Sequence, residues 1–377
     1  MAIKAGVRSI PLLDLTRQYQ PLRAPIQAAI SAVIESQRFI LGAGVERFEQ
    51  RFADYCGARY AIGCASGTDA LELALMALDI GTGDEVLTVP FTFFATAGAI
   101  MSAGARPVFI DVEPESFNLD VRQLDHALAT HPSVKAILPV HLYGACADMG
   151  PIIERAATRG IPVIEDAAQA VGAKWLGRRA GNIGTVGCFS FFPTKNLGGF
   201  GDGGILTTND EDLARKLKAL RTHGSFEKYT HQWPGMNSRL DALQAAVLDV
   251  KLDHLDDWTR ARQRNAALYR ELLSGVVTTP AAQPYQTSHV YYQFVIRCAR
   301  RDELRAFLAE SGVGTEVYYP LPLHLQPALA SYGYKAGDFP VSEELAKEVL
   351  ALPIFAELTG EEITTVAGLI REFYGRA

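Results

Sequence analysis

The feature that most constrains the fold is an alternation of apolar and amphipathic runs between about residue 60 and residue 210. The runs that predict strands are DEVLTV (84–89), RPVFID (106–111), VKAILPV (134–140) and IPVIED (161–166). Runs of helical character lie between them, at 93–105, 121–130 and 149–160. This alternation predicts an α/β fold with a mostly parallel sheet sandwiched by helices.

The chain changes character after a long stretch that is predicted to be helical, from about Leu240 to Leu273. A strand at 291–298 and helices at 301–312 and 361–374 are predicted beyond it. A chain of 377 residues is long enough for two units that each bury a core. We therefore expect a large α/β domain over residues 1–253 and a smaller C-terminal α+β domain over residues 254–377.

Charge and composition exclude several classes of partner. The net charge is −6 and no run of five like charges occurs, so nucleic acid and anionic membranes are not expected as partners. No long apolar segment predicts a membrane span, and the first 14 residues lack the apolar region of a secretory signal. The five cysteines are widely spaced, without C-x-x-C or H-E-x-x-H, so we expect reduced thiols, no metal site and a cytoplasmic protein.

The segment GFGDGG, from Gly199 to Gly204, matches the G-x-G-x-x-G pattern of dinucleotide-binding turns. That pattern requires a strand before the glycines and a helix directly after them. The run VGCFSFF (186–192) predicts the strand, but ILTTND follows the glycines and predicts a second strand and a turn. The context argues against a nicotinamide enzyme, and we expect a tight connection in which the backbone approaches its neighbours closely.

Several side chains with chemical potential fall where strands end or helices begin. Ser190 ends a predicted strand five residues before Lys195, and Asp166 ends another strand. Thr68 heads a predicted helix, and Phe93 opens one after VPFT. Because the carboxyl ends of parallel strands share one edge of a sheet, we expect these side chains to lie close together.

These residue types suit pyridoxal 5′-phosphate (PLP). A lysine amine forms a Schiff base with its aldehyde, and a carboxylate keeps its pyridine nitrogen protonated. A helix N-terminus binds the phosphate, and an aromatic ring stacks on the cofactor. Each residue also has an ordinary explanation: Lys195 as a surface residue, Asp166 as a turn former, and Ser66 or Thr68 as a helix N-cap.

Six segments together resemble the DegT/DnrJ/EryC1/StrS family, over about residues 10 to 375. They are ILGAGVERFEQRFADYCGARYAIGCASGTDALELALMAL, PFTFFATAGAI, VIEDAAQAVGA, SFFPTKNLGGFGDGG, RTHG and GMNSRLDALQAAVL. The resemblance implies a fold-type I PLP-dependent transferase that acts on nucleotide-linked sugars, built as a homodimer with active sites at the subunit interface.

The resemblance also implies roles for individual residues around the cofactor ring. Lys195 would carry the Schiff base and later move the proton. Asp166 would pair with the pyridinium nitrogen, Gln169 would contact the 3′-oxygen, and Phe93 would stack on the ring. Sugar dehydratases of the family have His in place of the lysine, so Lys195 favours amino transfer.

The phosphate and the substrate have implied partners too. Gly67, Thr68 and Ser190 would hold the phosphate, with Asn237 reaching it from the neighbouring subunit. The segments 223–246 and 317–329 look more like those of 3-keto hexose members, which makes the following residues candidates for substrate binding: Tyr318, Tyr319, His324 and His223. The stretch from Thr222 to Met236 shows little regular pattern and resembles a loop that covers a partner's site.

The implied reaction is an amino transfer in two halves. L-Glutamate would convert PLP to pyridoxamine 5′-phosphate and leave as 2-oxoglutarate. The amino group would then pass to a keto group, at C3, of a nucleoside-diphosphate keto-deoxyhexose. Two alternatives stay open: the same chemistry at C4 or on an inosose, and a non-catalytic binding or sensor protein on the same fold.

Overall fold

The computed structural model describes residues 9–375. Residues 1–8, part of the segment in which no secretory signal is predicted, lie outside the described residues. The helices of the described part are α1 Leu15–Tyr19, α2 Arg23–Ser36, α3 Ala43–Cys56, α4 Gly67–Ala77, α5 Ala95–Ser102, α6 Leu124–Thr130, α7 Met149–Arg159, α8 Glu211–Leu220, α9 Ala242–Leu252, α10 Leu255–Leu272, α11 Arg301–Glu310, α12 Pro340–Glu348 and α13 Gly360–Gly375.

The strands are β1 Tyr60–Cys64, β2 Glu85–Thr88, β3 Arg106–Phe109, β4 Val134–Ile137, β5 Ile164–Asp166, β6 Lys174–Trp175, β7 Arg178–Arg179, β8 Val186–Ser190, β9 Gly204–Thr208, β10 Ser225–Glu227, β11 Thr230–His231, β12 Gln286–Ser288, β13 Phe294–Arg297 and β14 Val349–Leu352. Short 3₁₀ turns occur at Gln20–Leu22, Val121–Gln123, Leu142–Gly144, Leu323–Leu325 and Pro327–Tyr332.

Seven strands form the central sheet in the order β3-β2-β4-β5-β8-β9-β1. The step from β4 to β5 is made by two parallel bridges, Ile137 to Val163 and Val140 to Asp166. Strand β9 pairs antiparallel with both β8 and β1, and the other pairs are parallel. The predicted α/β class with a mostly parallel sheet is therefore confirmed.

Successive strand residues point to opposite faces of the sheet. On β8, Val186 and Cys188 pack with α4, α5 and α8, whereas Phe189 packs with α3 and α9. On β5, Ile164 packs on the α4 side. Asp166 therefore points to the α4 side, and Glu165 points to the opposite side.

Beyond α9, the antiparallel pair β13–β14 packs with α10 to α13. One hydrophobic cluster contains Phe91 and Ile137 of the sheet region together with Phe294, Leu350 and Ile363 of the C-terminal part. The packed core thus continues across residues 253 and 254. The division of the chain into domains at this point stays a prediction.

Two predicted element bounds were wrong, and one stretch with little regular sequence pattern forms a short hairpin. The predicted helix from Leu240 to Leu273 is two helices, because the His254 N–H bonds the Lys251 carbonyl (3.0 Å) and tightens the turn after α9. The stretch from Thr222 to Met236 contains the β10–β11 hairpin. The strand predicted at 291–298 begins only at Phe294, because the backbone N–H of Gln293 bonds the Tyr143 carbonyl (3.3 Å) outside the sheet.

The glycine segment behaves as a tight connection. Gly204 opens strand β9, so no helix N-terminus follows the glycines. A Cβ on Gly204 would lie 2.3 Å from the Ser66 carbonyl oxygen, and one on Gly198, directly before the segment, would lie 2.3 Å from the Pro193 carbonyl oxygen. Close backbone approach is therefore what these glycines allow. Among residues 9–375, no helix has both the length and the apolarity to cross a bilayer.

Candidate active site

Three carboxyl ends of parallel strands meet at one edge of the sheet. Asp166 ends β5, Ser190 ends β8, and α4 begins at Gly67 directly after β1. Strand β8 lies between β5 and β9, and β9 joins it to β1. The structure thus brings together Asp166, Ser190 and the first turn of α4, as the sequence predicts.

The Asp166 carboxylate is buried and held by two donors. The Thr96 hydroxyl donates to Oδ2 (2.8 Å), and the Ala168 backbone N–H donates to Oδ1 (3.2 Å). Thr92 in turn bonds the Thr96 hydroxyl (3.0 Å). Burial raises the pKa of Asp166, and the bonds from Thr96 and Ala168 and the charge of Lys195 oppose that rise. A cation placed against this carboxylate would favour its charged form.

Lys195 lies on the loop between β8 and β9 and is half-buried. Its backbone N–H bonds the Phe192 carbonyl (2.9 Å). Its Nζ lies 4.5 Å from the centroid of the Tyr292 ring, and its charge reaches Asp166. The Tyr292 hydroxyl lies 3.4 Å from the Thr194 hydroxyl. A lysine amine and a buried carboxylate therefore share this edge of the sheet.

Gln169 links the sheet edge to a pair of tyrosines. Its Oε1 accepts from the Tyr143 backbone N–H (2.7 Å), and its Nε2 donates to the Tyr319 hydroxyl (3.0 Å). The Tyr143 hydroxyl donates to the Tyr318 carbonyl. The Phe93 ring centroid lies 6.3 Å from that of Tyr319. Phe93, Gln169, Tyr318 and Tyr319 thus form one wall of aromatic and amide groups.

The first turn of α4 is shaped to receive an anion. Ser66 caps the helix by accepting from the Asp69 backbone N–H (3.1 Å). A Cβ on Gly67 would lie 2.6 Å from the Ser190 Cβ, so glycine keeps the space between them open. Thr68 is exposed. Free backbone N–H groups at such a terminus favour negative charge.

A second buried carboxylate, that of Glu165, points to the sheet face opposite to the one that Asp166 faces. Glu165 accepts backbone bonds from Gly181 (2.8 Å), Ile183 (2.8 Å) and Gly184 (2.6 Å), and His141 Nε2 donates to it (3.0 Å). His141 Nδ1 accepts from Ala147 N–H (3.1 Å), which assigns the proton to Nε2. Burial raises the pKa of Glu165, but these bonds outweigh it and hold the pKa below its ordinary value of 4.5.

The other predicted substrate and partner residues make contacts outside the group described so far. Asn237 is exposed and pairs in an isolated bridge with Thr222. His223 is also exposed, and its carbonyl accepts from His231 Nδ1 (2.8 Å). The His324 side chain has no exposed surface, and its Nε2 bonds Glu343 (3.1 Å). Packing on all sides gives His324 a structural setting, and the geometry lends its predicted contact with the sugar no support.

Sequence reasoning missed three residues of the site: Thr96, Tyr143 and Tyr292. Thr96 lies in α5, and its hydroxyl contacts that of Thr92, which precedes the helix, so helical periodicity does not link the two residues. Tyr292 stood inside a predicted strand, where its side chain direction could not be read. Among the described residues, no cluster of three or more His, Cys, Asp or Glu side chains could hold a metal ion.

Comparison with known proteins connects this geometry to a family. A protein of Geobacillus stearothermophilus named pleiotropic regulatory protein is 51% identical over 369 residues, which cover 97% of this chain and 99% of that protein. The UDP-N-acetyl-3-dehydro-alpha-D-glucosamine 3-aminotransferase of Acidithiobacillus ferrooxidans is 44% identical over 363 residues, covering 96% and 97%.

The crystal structure of S. venezuelae DesV in complex with a ketimine intermediate superposes with a TM-score of 0.95, at 44% identity, and covers 98% of this chain and 99% of DesV. The profile of the DegT/DnrJ/EryC1/StrS aminotransferase family matches residues 21–371. The predicted family is confirmed, and the chain belongs to the DegT/DnrJ/EryC1/StrS aminotransferase family.

Proposed function

We propose that this chain is a PLP-dependent aminotransferase. In this proposal it moves an amino group from L-glutamate to the C3 keto group of a nucleoside-diphosphate keto-deoxyhexose, and the product is an amino sugar. The observation that carries the proposal is the meeting of Lys195, the buried Asp166 and the open first turn of α4 at one sheet edge. Membership of an aminotransferase family supports the reaction type.

The residues fit PLP on their chemistry. The space that Gly67 keeps open beside Ser190 suits a phosphate at the α4 N-terminus. Asp166 is buried and fixed by Thr96, which suits a single strong contact with a protonated ring nitrogen. The exposed Phe93 ring, with 58% of its surface accessible, is available to stack. When bound, PLP supplies an electron sink for negative charge at the amino-bearing carbon.

Each protein group then has a defined task. Lys195 Nζ would hold the cofactor and would afterwards move a proton away from the amino-bearing carbon. Asp166 keeps its negative charge beside the ring nitrogen. Gln169, fixed by Tyr143 and Tyr319, orients the ring oxygen. The Tyr318 pKa is raised to about 12 by burial, so its hydroxyl stays a neutral hydrogen-bond donor towards a sugar.

The regiochemistry rests on the relatives. The Acidithiobacillus ferrooxidans relative is named for a 3-amino transfer on a UDP-linked sugar. Tyr318 and Tyr319 stand beside Gln169 and Phe93, where a keto sugar would meet the cofactor. Transfer to C4 of a hexose, or to an inosose, uses the same protein groups and is separated from C3 transfer only by the product.

We also propose a homodimer in the cytoplasm as the working form. Asn237 and Phe93 are exposed in the single chain, as is Tyr229, with 84% of its surface accessible. A second copy that covers the rim would bury these groups and bring Asn237 to the partner's phosphate site. Symmetric pairing of this kind is the commonest assembly of soluble enzymes.

A non-catalytic regulatory protein is the second candidate, because the Geobacillus stearothermophilus relative is named as a regulator. The two functions differ in whether they require Lys195. A binding protein needs the fold and the pocket, whereas an aminotransferase also needs a free amine beside Asp166. The presence of Lys195, Asp166 and Ser190 at one edge favours the enzyme.

A spectroscopic experiment tests the proposal. The PLP-loaded protein should be yellow, should lose that colour when L-glutamate is added, and should be labelled at Lys195 after borohydride reduction. Lys195→Ala should abolish turnover, while Lys135→Ala, at an exposed lysine of β4, should leave it unchanged. NMR of products from 3-keto and 4-keto nucleotide sugars locates the new amine. A colourless protein that never transfers an amino group would support the regulator.

A further inference from the structure

A small cavity lies beside the Lys195 loop and borders the site described above, with which it shares Tyr292 and Tyr318. Its volume is about 70 Å³. Polar side chains dominate one part of its lining, and these are Thr194, Arg262, Tyr292, Gln293 and Tyr318. Leu12, Leu13 and Ile354 close the remainder. Hydroxyl, amide and guanidinium groups that converge on one space provide hydrogen-bond donors for an acceptor-rich ligand.

Arg262 is the unusual member of this lining. Only 3% of its surface is exposed, and its Nη1 donates to the backbone carbonyls of Tyr291 (3.0 Å) and Ile354 (2.8 Å). Within residues 9–375, no carboxylate forms an ion pair with it, and Glu357 acts on it only through its charge at a distance. Burial lowers the Arg262 pKa to about 10, so the guanidinium is charged at neutral pH.

A buried charge without a counter-ion is costly, and buried arginines are normally paired. The two carbonyls occupy only Nη1, so the planar fork of the guanidinium has further N–H groups to offer. A carboxylate entering the cavity would accept two parallel bonds from such a fork and neutralise its charge. The cavity has room for a carboxylate group but not for a nucleotide.

The cavity is one side chain away from the reacting lysine. The Tyr292 ring lies 4.5 Å from Lys195 Nζ, and its hydroxyl lies 3.4 Å from Thr194, another cavity residue. An amino acid held here by a carboxylate would therefore have its amino end close to Lys195. We propose that Arg262, with Thr194 and Tyr292, forms the subsite that binds a carboxylate of the amino donor. This assignment rests on the proposed function and specifies its donor as an amino acid bound through a buried arginine.

The test uses Arg262→Lys and Arg262→Gln in the full-length protein, with Arg301→Gln as the matched control. Arg301 lies in the same C-terminal part, is also largely buried, and also donates Nη1 to two carbonyls, those of Ala346 (3.2 Å) and Val349 (3.0 Å). It does not line the cavity. Loss of backbone tethering alone should therefore affect both sites similarly.

Binding and the two half-reactions are measured separately. Isothermal titration of glutarate into apoprotein should show a dissociation constant raised by at least about tenfold in Arg262→Gln, with less loss in Arg262→Lys and none in Arg301→Gln. In single turnovers, the glutamate concentration that gives the half-maximal rate should rise similarly. The rate of amino transfer from the pyridoxamine form to the sugar should change by less than about twofold.

Three results would overturn the assignment. One is equal glutarate binding by the wild type and Arg262→Gln; another is equal loss in both half-reactions, as expected of a packing residue. The third is inorganic phosphate binding as tightly as glutarate, which would indicate a general anion site. A wild-type protein that binds glutarate through Arg262 but never bleaches with glutamate would reject the proposed function and retain the carboxylate site.

Discussion

The floor and the rim of the site differ in how complete they are within one chain. On the floor, Asp166, Glu165 and His141 are buried, and their hydrogen bonds are made inside the chain. On the rim, Phe93 and Asn237 are exposed. The floor is thus finished by folding alone, whereas the rim still offers aromatic and polar surface to a ligand or to another molecule.

The contrast separates substitutions that act on chemistry from substitutions that act on assembly. Buried polar groups are costly to leave without partners, so a change on the floor disturbs the fold or the reacting centre directly. Exposed groups make few contacts within the chain, so a substitution there acts through the binding of a ligand or of another molecule. Four substitutions test this separation, and they follow in order of decreasing effect.

Asp166→Asn should have the largest effect. The amide can still accept from Thr96 or Ala168, so the fold should be retained, but the negative charge beside the ring nitrogen is lost. We expect kcat/KM to fall about 10³-fold, as for other preorganised electrostatic groups. Stopped-flow single turnovers with glutamate measure it, and circular dichroism checks the fold. A loss smaller than about tenfold would contradict the role of Asp166.

Glu165→Gln should mainly lower stability. The new NH₂ group must face one of the backbone donors from Gly181 to Gly184, so the free energy of unfolding should fall by about 3 kcal/mol. The folded pKa of Glu165 lies below 4.5, so its contribution is complete above that pH and is lost as the pH falls below it. Urea denaturation at pH 7 and below 4.5 should show the difference between wild type and variant shrinking. The exposed Glu35→Gln is the control.

Gly67→Ala should weaken cofactor binding. Its Cβ would lie 2.6 Å from the Ser190 Cβ, and relieving such overpacking costs about 1–3 kcal/mol. Because the space for the phosphate closes, the PLP dissociation constant should rise about tenfold, measured by fluorescence titration. Gly44→Ala, on helix α3 with open space around it, should leave PLP binding unchanged and provides the comparison. Equal PLP affinity in both variants would remove Gly67 from the phosphate site.

Asn237→Ala should have the smallest effect on the fold. Its side chain is exposed, so the free energy of unfolding of the cofactor-free chain should change by less than about 0.5 kcal/mol. If a second copy uses Asn237 to bind the phosphate, PLP should nevertheless be released faster on dilution. Dilution kinetics at several protein concentrations separate the two effects. A large loss of monomer stability would place Asn237 on the floor side of the comparison.

The sequence predicts those parts of the fold that depend on a short-range pattern of apolar residues. The apolar runs of β2 to β5 and β8 could be recognised in the sequence, because buried strands need apolar side chains on both faces. The direction of β9 could not be predicted, since an antiparallel strand has the same apolar pattern as a parallel one. The break after α9 was hidden because helical periodicity continues on both sides of Asp253 and His254.

The site was predicted to the extent that its residues end strands. Asp166 and Ser190 were found by that rule, and Lys195 by its place after them. The contact of His141 with Glu165 joins residues 24 apart, and the contact of Lys195 with Tyr292 joins the β8–β9 loop to the start of the C-terminal part. Such long-range contacts depend on the folded arrangement, and no local pattern reports them.

Strand β9 has a consequence for how the lysine can move. Ser190 and Gly204 lie directly opposite each other in the antiparallel pair, so residues 191–203 leave and re-enter the sheet at a single point. A loop whose two ends are held by paired strands has little freedom to move outward. In the proposed reaction, the Lys195 amino group would therefore change position by rotation about the bonds of its own methylene chain, while the loop backbone stays in place.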